Sequence, residues 1–196
     1  MGNKTLSCPH GGINAFKFRC ISIKIVKVRL LKEEQFKILK TMSEATNRMD
    51  LNVFAQAVNL SPDQAMTEVQ ELTKKGFLRK VGKGYGLTAK GKSALKVFQL
   101  TPIEMSFQFY ESVDKPLGFT ARSLGEFYRL IKQVCSDSLE FHLCRGDFER
   151  WLSDVCGNQK LAQEIAALKT ADLKGEELRK TLLEIIDAKC GIAELL

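Results

Sequence analysis

Residues Glu71–Gly91 read ELTKKGFLRKVGKGYGLTAKG, and the fold of the chain turns on that stretch. Apolar periodicity upstream runs into Lys74-Lys75-Gly76, where a glycine can take the left-handed position that ends a helix. Phe77, Leu78 and Val81 then supply extended residues around Arg79 and Lys80, and Gly82-Lys83-Gly84 makes a tight basic tip. Tyr85, Leu87 and Thr88 lead back, with Thr88 placed to N-cap a following helix. The stretch predicts a helix, a hairpin and a second helix. Between Glu71 and Glu104 stand eight basic residues (Lys74, Lys75, Arg79, Lys80, Lys83, Lys90, Lys92, Lys96) and no acid. A run of one sign on this scale suits phosphate.

Upstream, Phe36, Leu39 and Met42 recur at helical spacing over Glu33–Thr46, with Ile38 and Ala45 widening the stripe. Asp50 can cap a short second helix with Val53, Phe54, Ala57 and Val58, and Asn59-Leu60 makes a turn. Ser61-Pro62 opens a third helix, serine as N-cap and proline at its first position. Ala65, Val69 and Leu72 form its apolar face. Asp63, Thr67, Gln70 and Lys74 form the opposite one, flanked by Met66 and Glu71. Gln70 can read adenine and Thr67 a thymine methyl. Asp63, Glu68 and Glu71 work against phosphate, and the helix carries no arginine for guanine.

The pattern Leu-x-x-x-Gly-hydrophobic-hydrophobic-Arg, a basic turn, then Tyr-x-Leu-Thr-x-x-Gly resembles prokaryotic winged helix-turn-helix transcription regulators, particularly compact archaeal ones. The resemblance covers Glu33–Phe98, about a third of the chain. It implies a recognition helix in the major groove of double-stranded DNA and a wing on the backbone or in the minor groove. The implied contacts are Asp63, Met66, Thr67, Gln70, Lys74 and Lys75 from the helix, Arg79, Lys80, Lys83 and Tyr85 from the wing, and Lys90 and Lys92 beyond it. The same module can instead dock on another protein without reading DNA.

Composition frames these readings. The chain has 196 residues, enough for one sizeable core or two modest ones. Residues 1–100 hold 18 basic and 7 acidic side chains; residues 101–196 hold 12 and 16. A net of +11 against −4 points to a polyanion-facing half joined to a half with another task. No apolar run is long enough to span a bilayer, and no secretory h-region opens the chain, so a cytoplasmic protein without a membrane partner is expected. Six cysteines without a Cys-x-x-Cys pair read as reduced thiols, several of them buried. Cys8, His10 and Cys20 cluster, but they lack a matching second pair for zinc, and no metal or cofactor is expected.

Residues 1–32 carry seven basic side chains and no acid. Phe16, Phe18 and Cys20, then Ile21, Ile23 and Ile25, alternate as in a strand, after a disordered start over Met1–Ala15. The segment reads either as a basic β-arm touching phosphate or as an edge strand protected by lysines.

Beyond Gln99–Ile103, where Pro102 marks a boundary, the second half reads as α+β. Phe107 and Phe109 alternate in a strand, Asp114–Gly118 make a turn, and Ser123 with Glu126 forms a capping box. The helix it opens aligns Leu124, Phe127, Ile131 and Val134. Leu139, Phe141 and Leu143 alternate with Glu140 and His142 as a second strand. Asp147 caps a helix with Phe148, Trp151, Leu152 and Val155. Further helices carry Leu161, Ile165 and Leu168, then Leu178, Leu182 and Ile185.

The string from Ser138 to Leu152, followed by Leu161-Ala-x-Glu-Ile, resembles an uncharacterised small domain of archaeal and bacterial chains over Ser106–Ile186. His142, Arg145, Asp147 and Asp154 lie close in sequence at a strand-to-helix junction. No nucleophile motif or phosphate-cradling glycine loop accompanies them, Asp147 reads as an N-cap, and His142 can simply pack beside Glu140. No catalytic residue is assigned. His142, Arg145 and Trp151 instead mark a ligand pocket or an interface, with a small-molecule effector as a possible partner. Ile192, Leu195 and Leu196 extend the apolar stripe of the last helix and suggest a homodimer surface. The expected protein is α+β and not an enzyme. It has a basic arm (1–32), a winged helix-turn-helix domain (33–100) and a helix-rich α+β domain for dimerisation or sensing (104–196).

Overall fold

The computed structural model describes residues 31–45 and 50–195. The strand-like arm, the Cys8/His10/Cys20 cluster and Leu196 lie outside the described residues. Three helices come first: α1 (Glu33–Glu44), α2 (Leu51–Ala57) and α3 (Pro62–Lys74). The hairpin β1 (Leu78–Val81) and β2 (Gly84–Leu87) follows, then α4 (Ala89–Phe98). A second hairpin, β3 (Phe107–Ser112) and β4 (Lys115–Ala121), precedes α5 (Leu124–Ile131), α6 (Ser136–Arg145), α7 (Asp147–Arg150), α8 (Gln159–Ala167) and α9 (Gly175–Cys190). The protein is thus mixed α+β. Among the described residues the strands make two separate two-stranded antiparallel sheets.

Local chemistry sets the first elements. Asp50 accepts from the Asn52 N–H at 2.8 Å, and Asn59 takes a positive φ in the turn behind α2. Ser61 and Gln64 form a reciprocal capping box at the start of α3, with Pro62 inside it. Ala65, Val69 and Leu72 are buried. In α1 the buried stripe is Gln35, Ile38 and Leu39, so Phe36 is only half-buried and Ala45 is exposed. Val53 and Ala57 also face out of α2, which buries Phe54 and Ala55 instead.

The hairpin pairs Leu78 with Leu87 and Val81 with Gly84, leaving Gly82-Lys83 as a two-residue turn. Gly82 has φ 58°, the first-position geometry that a II′ turn asks of glycine. Thr88 then ties three elements together. Its hydroxyl donates to the carbonyl of Gly76 at 2.6 Å and lies 3.0 Å from that of Phe77, while accepting from the Gly91 N–H at 3.1 Å. Its N–H donates to the Phe77 carbonyl at 3.0 Å. A Cβ on Gly91 would sit 2.3 Å from that same carbonyl oxygen, so α4 can come this close only without a side chain there.

The second half departs from the expected layout at several points. The turn is Val113-Asp114 alone, and Lys115 to Ala121 form β4, with irregular register opposite Tyr110 and Ser112. Ser123 does cap α5, but Glu126 accepts from the Arg122 N–H at 2.9 Å. The predicted strand at Leu139–Leu143 is helix α6. Leu139, His142 and Leu143 share its buried side at i, i+3, i+4 spacing, and Gly146 ends it in the left-handed conformation. Asp147 caps nothing: Gly146 is the N-cap of α7, and the Asp147 carboxylate serves elsewhere. Trp151–Val155 continue as a π-helical turn.

In α9 the third core residue is Ile186, with Ile185 at the edge. Ile192 and Leu195 are buried in their own chain. Two of the three residues that pointed to a homodimer surface are therefore spent inside their own chain.

One apolar cluster runs through both halves. Helix α4 joins them: a Cβ on Gly125 would lie 2.9 Å from the Phe98 ring and 3.3 Å from Val97. The segment behind α4 is also anchored, since the Thr101 N–H donates to the Arg122 carbonyl at 2.6 Å and the Arg122 guanidinium returns bonds to the Thr101 carbonyl.

Gly91→Ala should lower stability by about 1–3 kcal/mol through overpacking against backbone. Thr88→Ala should cost about 1 kcal/mol as a lost cap. Urea midpoints compare them with the parent; a Gly91→Ala midpoint equal to wild type would contradict the close approach.

Candidate nucleic-acid interface and a histidine-lined cleft

Helix α3 presents one polar ridge. Asp63, Thr67, Gln70 and Lys74 are exposed along it. Thr67 donates its hydroxyl to the Asp63 carbonyl at 2.8 Å, which leaves its methyl as the feature offered outward. The two acids that seemed to oppose phosphate are turned aside. Glu68 accepts from the buried Gln35 amide at 2.7 Å and from Lys32 at 3.1 Å, and Glu71 accepts from Gln35 at 3.1 Å. Burial alone would raise the Glu68 pKa, but the hydrogen bonds from Gln35 and Lys32 outweigh it and hold the carboxyl below its ordinary value. Pairing with Glu68 raises the Lys32 pKa in turn.

The basic run divides as well. Lys74, Arg79, Lys80, Lys83 and Lys92 are exposed. Lys75 lies 3.4 Å from Gln35 Oε1, and Lys90 sits 5.1 Å above the Phe77 ring, so both lean on their own chain. Met66 and Tyr85 are half-buried and line a cleft of about 570 Å³ with Met42, Phe54, Val69 and Val81. That cleft brings one flank of α3 to the hairpin. Met66 and Val69 of α3 thus share a cleft with Val81, Lys83, Gly84 and Tyr85 of the hairpin, which sequence spacing alone could not establish.

A second cleft, of about 520 Å³, lies between β3 and α6. His142 is buried at its base. The Tyr110 N–H can only donate, and it meets His142 Nε2 at 2.9 Å, so that nitrogen carries no proton. Nδ1–H therefore donates to Asp147 Oδ2 at 2.8 Å. Burial lowers the His142 pKa, and Asp147 only partly opposes it. Neither ring nitrogen is open to a substrate proton. The ring also packs edge-on against Phe107 and Phe109, at 4.9 and 5.8 Å. Glu140 is occupied elsewhere, accepting from the Gly175 N–H at 2.8 Å.

Asp147 gathers charge around itself: Arg145 Nε lies 3.3 Å from one carboxylate oxygen and Arg150 Nη2 2.5 Å from the other. Arg145 also stacks 5.0 Å over Phe141. Trp151 is buried beside it and donates its indole N–H to the Met105 carbonyl at 2.9 Å. The structure thus brings His142, Arg145 and Trp151 to one cleft. Sequence reading missed Tyr110, Phe141 and Gln108, whose place in it depends on pairing between distant elements. Asp154 is exposed and does not line it.

Among the described residues no cluster of His, Cys, Asp and Glu could hold a metal ion, and no helix is long and apolar enough to cross a membrane. Cys156 and Cys190 are free; burial pushes the Cys156 thiol up to about 12 and raises that of Cys190.

Residues 92–187, just under half of the chain, match a family of unknown function, DUF5752. No curated protein and no solved structure is similar to the chain. The matched span opens within α4 and takes in the whole histidine-lined cleft.

Because the folded His142 titrates below its ordinary value of about 6.5, the unfolded chain takes up that proton first as pH falls. Stability should be full above that value, decline as pH drops toward the lowered folded pKa, and then level off. His142→Gln should remove this component while keeping an acceptor for Tyr110. Chemical denaturation at about pH 7.5 and about pH 5.5 reads the difference; an unaltered pH dependence in the variant would assign it to other groups.

Proposed function

We propose that the chain is a cytoplasmic winged-helix protein that binds double-stranded DNA and regulates transcription, with residues 104–196 serving dimerisation or ligand sensing. The order of α1, α2, α3, the first hairpin and α4 supports a winged helix-turn-helix reading, in which α3 would be the recognition helix and β1–β2 the wing. One observation carries the reading. The ridge of α3 and Arg79, Lys80 and Lys83 are exposed on two elements that share one cleft, while Glu68 and Glu71 are drawn off toward α1. Phosphates would engage the wing and base edges the ridge. Asp63 is the one acid left on the ridge, so contacts through Thr67 and Gln70 would favour A·T pairs over phosphate-driven affinity. A single ridge offers few base contacts, and pairing on a two-fold site would double them.

A second reading rests on the cleft between α2, α3 and the hairpin. Leu51 and Val81 on its lining are exposed, and an apolar groove beside a basic tip also suits a protein partner.

Fluorescence anisotropy with a labelled duplex tests the first reading. Binding should weaken with salt, the log–log slope gaining about 0.9 for each phosphate contact. Lys80→Ala with Lys83→Ala should weaken binding to all sequences and flatten that slope. If no duplex binds even at low salt, the docking reading takes its place.

On a selected site, Thr67→Ala and Gln70→Ala should each relax sequence preference by about 1–3 kcal/mol and barely change binding to random DNA. A uniform loss over selected and random duplexes would place both side chains on the backbone.

A further inference from the structure

Arg145 is held in a way that a merely solvated arginine is not. It leaves the last turn of α6, and its side chain is about half exposed. Its Nε lies 3.3 Å from the Asp147 carboxylate, and its guanidinium carbon sits over the Phe141 ring, 5.0 Å from the ring centre. Among the described residues its two terminal nitrogens have no hydrogen-bond partner. The fork is thus oriented on one edge and open on the other, facing a cleft of about 520 Å³, a size that suits a small ligand. Such an edge matches the two oxygens of a carboxylate.

The rest of the cleft defines what accompanies that anion. Phe141 and Tyr110 are half-buried beside it, Val113 stands exposed at the rim, and Phe107 and Trp151 close the floor. The floor offers little polar competition, because His142 is spent on Tyr110 and Asp147, and the Trp151 indole on Met105. Charge argues for a monoanion. Arg145 and Arg150 share the single Asp147 carboxylate, which leaves one positive charge in excess, and Asp114 stands at the rim. The second charge of a phosphate dianion would face the Asp147 and Asp114 carboxylates.

We propose that this cleft binds a small aromatic carboxylate, its carboxylate on the open edge of Arg145 and its ring against Phe141 and Tyr110. The proposal rests on reading the second half as a sensing unit and is independent of duplex binding. The ligand titration is run without DNA, so failure of either reading is seen separately.

The test is a titration of the full chain by heteronuclear NMR with three probes: benzoate, its neutral isostere benzamide, and inorganic phosphate. Benzoate should bind with a Kd of about 1 mM or tighter, moving the Arg145 Nε–H and the amides of Tyr110 and Phe141. Benzamide should bind at least tenfold more weakly. Arg145→Gln, at a half-exposed position where the fold tolerates the change, should erase the difference between the two. Equal binding of benzoate and benzamide to the wild type, or shifts confined to other residues, would overturn the proposal. Phosphate moving Arg145 where benzoate does not would overturn the aromatic part, leaving an anion site alone.

Discussion

The carbonyl of Phe77 is the point on which the first half is hung. It accepts from the Thr88 N–H, lies within hydrogen-bond reach of the Thr88 hydroxyl, and has the bare Cα of Gly91 pressed against it. One peptide group thereby sets the end of α3, the width of the hairpin base and the seat of α4. The hairpin itself has only four residues a side, and a two-stranded ribbon of that size is marginal alone. Its position relative to α3 comes from this junction, and so does any surface that ridge and tip present together.

Polar groups inside the molecule partition charge as much as they bind elements. Gln35 is fully buried on α1, yet its amide reaches Glu68 and Glu71 on α3. Leaving such an amide unpaired would cost about 1–3 kcal/mol, so the acids are needed where they stand. The same bonds remove two negative charges from the open side of α3. In the second half Asp147 performs a related service, accepting from the Nδ1–H of a histidine that burial keeps neutral and pairing with two arginines.

What could be read from sequence was local. The caps at Asp50, Ser61, Thr88 and Ser123 stand where short-range donors and acceptors put them, and the stripe of α3 follows its periodicity. Errors arose where two periods overlap or where a polar residue is core. Leu139 and Leu143 satisfy both an alternating and a helical pattern, and the residue that decides between them is buried His142, which reads as polar. Pro116 and Gly118 look like a turn, but Pro116 lies on a strand with only one neighbour, where its missing N–H costs little. The cleft was half legible: His142, Arg145 and Trp151 are close in sequence, while Tyr110 reaches them only because β3 runs beside α6. The exposed apolar tail was misjudged, since nothing local tells an apolar terminus that docks from one that waits for a partner.

Helix α4 buries Ala94 and Val97 in the common core and lends Phe98 and Val97 to Gly125 of α5. It is a party wall, owned by both neighbours. The stretch that matches the family of unknown function begins at Lys92, inside this helix, before the connection that follows it. A unit with the bounds of that match carries its own half of the wall. Any first half joined to a unit with these bounds would have to supply the opening turn of α4 and a surface that buries Ala94, which restricts the partners this architecture can accept.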